Sequence, residues 1–441
     1  MKKLFAPILM LVLLVFVACA PVAPVAPNVS TPAPAAATAA ASTEAACEPV
    51  KIVYGAQPLG ANYTQAFYDT LYADFEAENP CIKIEQLLPA SAGFDSILAY
   101  FKSLIAAGEF PDSLTCGADC GALGRAGLLV PFEITDAVKQ IKGYEQSMQG
   151  GLLYTLPSQF QPVGLVFYNK NQYAQAGITE LPKTLDEMDA VLAKLKAAGF
   201  APIVTSGDWV PSIFLDMLSA TVIGKNPHFL SDIKAGKVKY AEGDLLKAFQ
   251  HYETWVKNGY LIDGAAGLTY DQLEPAFFAE RGASYPMGIW FTASAEKEKA
   301  NLKFEVGVYL LPSLEGNYVY GARTAPCGVS SLSEHRKEAV TFCEYLSLGK
   351  GHAAIAKADG MFSNLQNPPD LGFSGLQLDL EKQLATATIT WQFSAGLGDE
   401  AVVSGIGAVL GEAGQAVLQG KSALEALTML DDYVAAKLQT P

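Results

Sequence analysis

The order of elements along the chain predicts an α/β protein of two lobes, each a mainly parallel sheet flanked by helices. Three observations carry this. Short β-branched runs alternate with amphipathic helical runs between residues 50 and 107. The same alternation restarts after about residue 160. The chain has 441 residues, half of them hydrophobic, which is enough for one large or two ordinary cores.

Taken in order, Val50 to Tyr54 is a short apolar strand. Tyr63 to Glu78 carries Ala66, Phe67, Leu71 and Phe75 at helical spacing, and Asn79-Pro80 stops it. Ile82 to Gln86 alternates as a second strand. Phe94 to Ala107 puts Ile97, Leu98, Phe101, Leu104 and Ile105 on one helix face, and Gly108 ends it. After residue 160 come a strand at Leu165 to Tyr168, a strong helix at Leu185 to Ala198 and a strand at Pro202 to Thr205. The last stretch, Glu412 to Lys437, reads as helical.

The N-terminus addresses location rather than fold. Met1-Lys2-Lys3 is followed by an apolar run from Ile8 to Val17. A basic head and a short apolar core read as a secretory signal, since the run is too short to span a bilayer core of about 30 Å stably. The stretch Phe16-Val17-Ala18-Cys19 resembles a bacterial lipobox, with Phe16 standing where Leu is typical. The resemblance implies cleavage after residue 18 and a lipid on Cys19. Each buried CH₂ of such an anchor contributes about 0.8 kcal/mol. Ala20 to Ala46 is almost wholly Ala, Pro, Val, Thr and Ser, so residues 19–46 are expected to form a tether. Its r.m.s. span would be roughly 30 Å as a flexible coil.

Charge and cysteine usage narrow the partners. The formal net charge of −15 disfavours nucleic acid and anionic lipid heads. Of seven cysteines, six remain once Cys19 is set aside: Cys47, Cys81, Cys116, Cys120, Cys327 and Cys343. An even set in an exported chain indicates disulfides. The favoured pairs are Cys47–Cys81, just before two strands expected side by side, Cys116–Cys120, closing a tiny loop, and Cys327–Cys343, tying a strand to the next helix. A zinc reading of Cys116-Gly-Ala-Asp-Cys120 lacks both C-x-x-C spacing and a nearby His. No metal or other cofactor is expected.

Four segments then resemble the sugar-type extracellular solute-binding proteins of ABC importers. They are Phe110-Pro111-Asp112-Ser113 with Gly124 to Phe132; Tyr154 to Pro157 with Gln161 to Lys170; Ala176-Gly177-Ile178 with Leu181 to Met188, where Trp is commoner than Leu185; and Phe277 to Trp290. The resemblance implies a periplasmic-binding-protein-like fold of type II, closing by a hinge around solute. It implies chain crossings near Val163, Ala325 and Asn364. Lobe 1 would hold residues 47–163 and 326–364, and lobe 2 would hold 164–325 and 365–441.

Sugar recognition needs aromatic faces for the C–H face of a pyranose and polar groups for its hydroxyls. Of the four Trp, Trp290 occupies the position that the family implies is ligand-facing. Trp209 follows Ser206-Gly207-Asp208 after an expected strand, where loops line clefts, with Asp208 as a hydroxyl acceptor. Trp255 reads as core, and Trp391 is a further candidate. Gln159, Phe160 and Gln161 precede the crossover strand and are expected to face the cleft. Arg323 can bind a hydroxyl or carboxylate, or form a hinge salt bridge. Asp119, Tyr63 and Phe362 complete the candidates.

An exported glycosidase is the enzymatic rival, but the chain has no nucleophile elbow, no His-Glu-x-x-His and no P-loop. Its four His are scattered and read as surface or capping residues. A peptide, polyamine or metal chelate remains an alternative solute, and a passive adhesion protein fits the two-lobe pattern less well. The expected protein is a non-catalytic monomer, lipid-anchored outside the cytoplasmic membrane, that delivers solute to a permease whose ATPase is a separate chain.

Overall fold

The computed structural model describes residues 47–57, 63–88, 97–116, 120–324, 327–358, 360–390, 402–403 and 405–439. The stretch from Glu48 to Pro441 forms one compact unit. The expected signal, Cys19 and tether lie outside the described residues.

Twelve strands occur among the described residues. They are β1 (Val50–Gly55), β2 (Ile82–Leu87), β3 (Ser113–Leu114), β4 (Leu129–Val130), β5 (Gln159–Pro162) and β6 (Leu165–Asn169). Then come β7 (Ser284–Met287), β8 (Val306–Leu310), β9 (Tyr318–Thr324), β10 (Gly328–Ser330), β11 (Phe362–Ser363) and β12 (Thr388–Thr390). They form three sheets, ordered β2-β1-β3-β10-β4, β11-β5-β9-β12 and β7-β6-β8.

The two-lobed α/β architecture holds, but the sheets are mixed rather than mainly parallel. β1 pairs parallel with β2 and β3, as strand–helix–strand units require. β10 reaches the same sheet some two hundred residues later, from the opposite direction, and wedges antiparallel between β3 and β4. β6 is antiparallel to both β7 and β8.

Two large cores follow the same division. One runs from Ile52 to Leu156 and resumes from Cys327 to Leu365. The other runs from Phe160 to Tyr320 and resumes with Phe362 and Leu376 to Val434. Core membership therefore changes along β5, just after β9, and around β11. These strands share the second sheet, with Gln159 opposite Thr324 and Ser363 opposite Gln159.

Most expected elements form close to their expected ends, including helices Gln65–Glu78 and Leu185–Ala197, each capped by a threonine hydroxyl. Two differ. Residues 202–205 make no strand, because Ile203 only bridges Leu261 and Ser284 while Pro202 lacks an N–H. The C-terminal helix is two helices, Ile406–Leu418 and Ala423–Gln439. Gly420 takes φ +98°, a left-handed conformation that ends the first. Ser422 and Glu425 start the second with a reciprocal cap, the Glu425 amide donating to Ser422 Oγ and the Ser422 amide to Glu425 Oε2.

Cys116 is bonded to Cys120 and Cys327 to Cys343. Cys47 and Cys81 are also disulfide-bonded. The second bond joins the residue before β10 to helix Arg336–Leu348. Among the described residues no helix is long and apolar enough to cross a membrane.

Helix Ile406–Leu418 packs closely on Val210–Leu218 at Gly414, where a Cβ would lie 2.5 Å from the Pro211 carbonyl oxygen. Gly411, in the same helix, has nothing within 4 Å of that position. Gly414→Ala is therefore expected to destabilise the protein by about 1–3 kcal/mol in urea unfolding, and Gly411→Ala to stabilise it by about 0.5–1 kcal/mol.

Candidate functional site

The loop after residue 205 is built around one carboxylate. Asp208 Oδ1 accepts from Ser206 Oγ at 2.6 Å, and Oδ2 accepts from the Tyr270 amide at 2.7 Å. Burial raises the Asp208 pKa, but the hydrogen bonds from Ser206 and from the Tyr270 and Val210 amides outweigh it and hold the group below the usual carboxylate range. The Asp208 carbonyl accepts from Gln415 Nε2 at 2.8 Å, so the C-terminal helix pair supports the loop. Asp208 is thus a strut of the loop, each of its oxygens engaged by a group of the protein.

What the strut holds is Trp209, 44% exposed at the start of helix Val210–Leu218. Its ring centroid lies 4.9 Å from that of Tyr270, at an interplanar angle of 47°. The Trp290 side chain lies near the Tyr270 hydroxyl. Burial first, and then the nearby Glu274 charge, raise the Tyr270 hydroxyl pKa, so the phenol stays neutral. Glu274, half-buried, is itself raised by burial. Trp209 and Tyr270 form an aromatic pair, with Trp290 near the Tyr270 hydroxyl, and Tyr270 is the member that the sequence reading missed.

Trp290 is half-buried and packs against the larger core. Its indole folds back over Gly288, where a Cβ would lie 2.0 Å from the ring. Only glycine leaves room there.

A second cluster flanks β1 and the middle sheet. Tyr54, Tyr63, Tyr68, Thr115, Gln159 and Thr324 line a small cavity of about 30 Å³. Tyr63 stacks on Tyr68 at 5.9 Å and meets Phe67 edge-on at 5.4 Å. Tyr54 and Thr115 hydroxyls lie 2.6 Å apart. Gln159 is fully buried from bulk solvent, and its Oε1 accepts from Thr324 Oγ1 at 3.1 Å. This wall combines an aromatic face with amide and hydroxyl groups.

The remaining expected residues divide. Gln161, on β5, is half-buried. Phe160 and Phe362 do not face a cleft. They sit opposite each other on β5 and β11, only 2% and 8% exposed, with Phe160 lying across Gly321 and Phe362 packed on Phe373 at 4.7 Å. Alternation explains this, because the neighbouring row of Gln159 and Ser363 takes the other face. The Arg323 backbone pairs with Phe160. Asp119 and Trp391 lie outside the described residues. Trp255 is fully buried and donates from Nε1 to Asp189.

One histidine also departs from expectation. His352 is 1% exposed rather than on the surface. Burial depresses its pKa from 6.5 to about 4.

The chain belongs to the bacterial extracellular solute-binding protein family, whose model matches residues 60–349. The family is a binding family rather than a catalytic one, and its extracellular station implies export. A multiple sugar-binding protein of Streptococcus mutans is 22% identical over 299 residues, covering 65% of this chain and 69% of that protein. A probable sugar-binding periplasmic protein of Mesorhizobium japonicum is 23% identical over 329 residues, covering 70% and 76%. The structure of a family 1 extracellular solute-binding protein from Bifidobacterium longum subsp. infantis superposes with a TM-score of 0.71 at 19% identity, covering 88% of this chain and all of that one.

Two outcomes follow. Gly288→Ala is expected to push the Trp290 indole out, giving a red-shifted tryptophan emission with the circular dichroism of the fold retained. For His352 the folded pKa is depressed, so the unfolded chain binds the extra proton between pH 6.5 and about 4. The neutral-histidine contribution is complete above pH 6.5 and is lost as pH falls toward 4. Urea unfolding of wild type against His352→Asn should show the stability difference narrowing by about 2 kcal/mol between about pH 7 and pH 4.5.

Proposed function

We propose that this protein is the solute-capturing component of an ABC importer and that its solute is a mono- or oligosaccharide. The observation that carries this reading is the Trp209–Tyr270 ring pair, with Trp209 44% exposed, the Tyr270 amide held by Asp208, and Trp290 folded over Gly288. Rigid, partly exposed rings suit the apolar face of a pyranose and lose little entropy on binding. Tyr63 and Thr324 of the second wall, with Gln161 beside it, would add stacking and hydroxyl contacts, and Gln159 would hold Thr324 in place from behind. The names of the curated relatives support a sugar as well.

In this reading lobe 1 comprises residues 47–163 and 326–364, lobe 2 comprises 164–325 and 365–441, and solute closes them on each other. The protein carries out no catalysis. It is held at the outer face of the cytoplasmic membrane by a lipid on Cys19 and works as a monomer. The permease and its ATPase are separate chains.

Thermal shifts of the purified protein against mono- and oligosaccharides, with amino acids, peptides and polyamines as controls, test the proposal. A solute at a hundred times its dissociation constant should stabilise the fold by about 2.7 kcal/mol. The expected result is a shift for one group of sugars, with affinity lowered about tenfold to a hundredfold in Trp290→Ala. A shift with peptides or polyamines alone would discard the sugar and keep the binding protein.

A further inference from the structure

The buried rung of the middle sheet does more than pair strands. Thr324, Gln159 and Ser363 stand directly opposite one another on β9, β5 and β11. Opposed residues of paired strands present their side chains on one face. The rung therefore crosses all three chain stretches on which core membership changes.

It is also joined chemically. Thr324 Oγ1 donates to Gln159 Oε1 at 3.1 Å. Gln159 Nε2 lies 3.4 Å from the Leu346 carbonyl oxygen, which can only accept, so the amide orientation is set. The same Nε2 lies 3.4 Å from His352 Nδ1. An NH₂ facing Nδ1 makes that nitrogen the acceptor, so the ring proton sits on Nε2 and is donated to Ser363 Oγ at 2.8 Å. His352 comes from helix Lys350–Ala358, outside the sheet. One neutral imidazole thus links three strands in a single hydrogen-bonded chain, two of whose members, Gln159 and Thr324, line the cavity beside Tyr63.

We infer that His352 is the positioning residue of the hinge. It fixes the Gln159 carboxamide in the orientation that ties β5, β9 and β11 together and presents Gln159 and Thr324 to the cleft, so it sets solute affinity without touching solute. The affinity half of this inference rests on the cleft being the solute site; the hinge half does not.

The test combines hydrogen exchange of the whole protein with titration of maltotriose, raffinose and a chito-oligosaccharide. Three variants are compared. His352→Leu removes both arms of the imidazole. His352→Asn restores an acceptor near the Nδ1 position. Thr324→Val removes only the donor to Gln159, and it decides the question if His352→Leu does not fold.

In His352→Leu and Thr324→Val, amide exchange in β5, β9 and β11 should rise about tenfold or more while β1 and β2 keep their protection. His352→Asn should return β5 and β9 toward wild type. The dissociation constant of whichever sugar binds should rise about tenfold in the same two variants. A rise shared equally by β1 and β2 would make His352 an ordinary core residue and overturn the inference, as would unchanged exchange. Confined exchange with unchanged affinity would overturn its affinity half. If none of the three sugars binds wild type, these sugars fail as solutes, and exchange still decides the role of His352.

Discussion

A sheet shared by three distant stretches of chain is the constraint on which the rest of the molecule depends. β5, β9 and β11 are the places where the chain leaves one core for the other. A strand that passes between cores cannot bury its polar groups unmatched, because each lost hydrogen bond costs on the order of 1–3 kcal/mol. The alternation of a strand supplies the solution. One face of the middle sheet carries Phe160 and Phe362, which belong to the larger core. The other carries Thr324, Gln159 and Ser363, which satisfy one another and His352.

The same division of labour appears in the aromatic site. Asp208, Gly288 and Gln415 hold or make room for the aromatic rings of the proposed site. Asp208 fixes the loop under Trp209, Gln415 braces that loop from the C-terminal helices, and Gly288 leaves space for Trp290 to fold back. Binding surfaces built this way are ordered before solute arrives, which lowers the entropic cost of capture.

Much of this was legible in the residues, and the gaps have physical causes. The restart of strand and helix signals gave two lobes, and the crossover segment gave β6, whereas β5 just before it was read only as a stretch facing the cleft. The antiparallel wedge of β10 was not legible, because pairing direction depends on where the chain returns from, and local periodicity is silent about that. Trp290 and Trp209 stood out through their context, whereas Tyr270 sits in a short 3-10 turn with no apolar period around it. Its available signal was the Thr269 to Gln272 capping pattern, which marks a helix start on a loop. The break after Gly420 was written as Ser422-Ala-Leu-Glu425, a cap that a continuous apolar pattern hid. His352 was missed because it lies among Lys350, Gly351 and small residues, a composition that reads as surface.

The Cys327–Cys343 bond fastens the late strand β10 to the helix that follows it. Because β10 sits between β3 and β4, it completes the first sheet only after the long stretch of the second core from Phe160 to Tyr320. A reducing cytosol keeps the two sulfurs apart as thiols, and an oxidising exterior joins them. The first sheet is therefore at its most resistant to unfolding where the surroundings are oxidising.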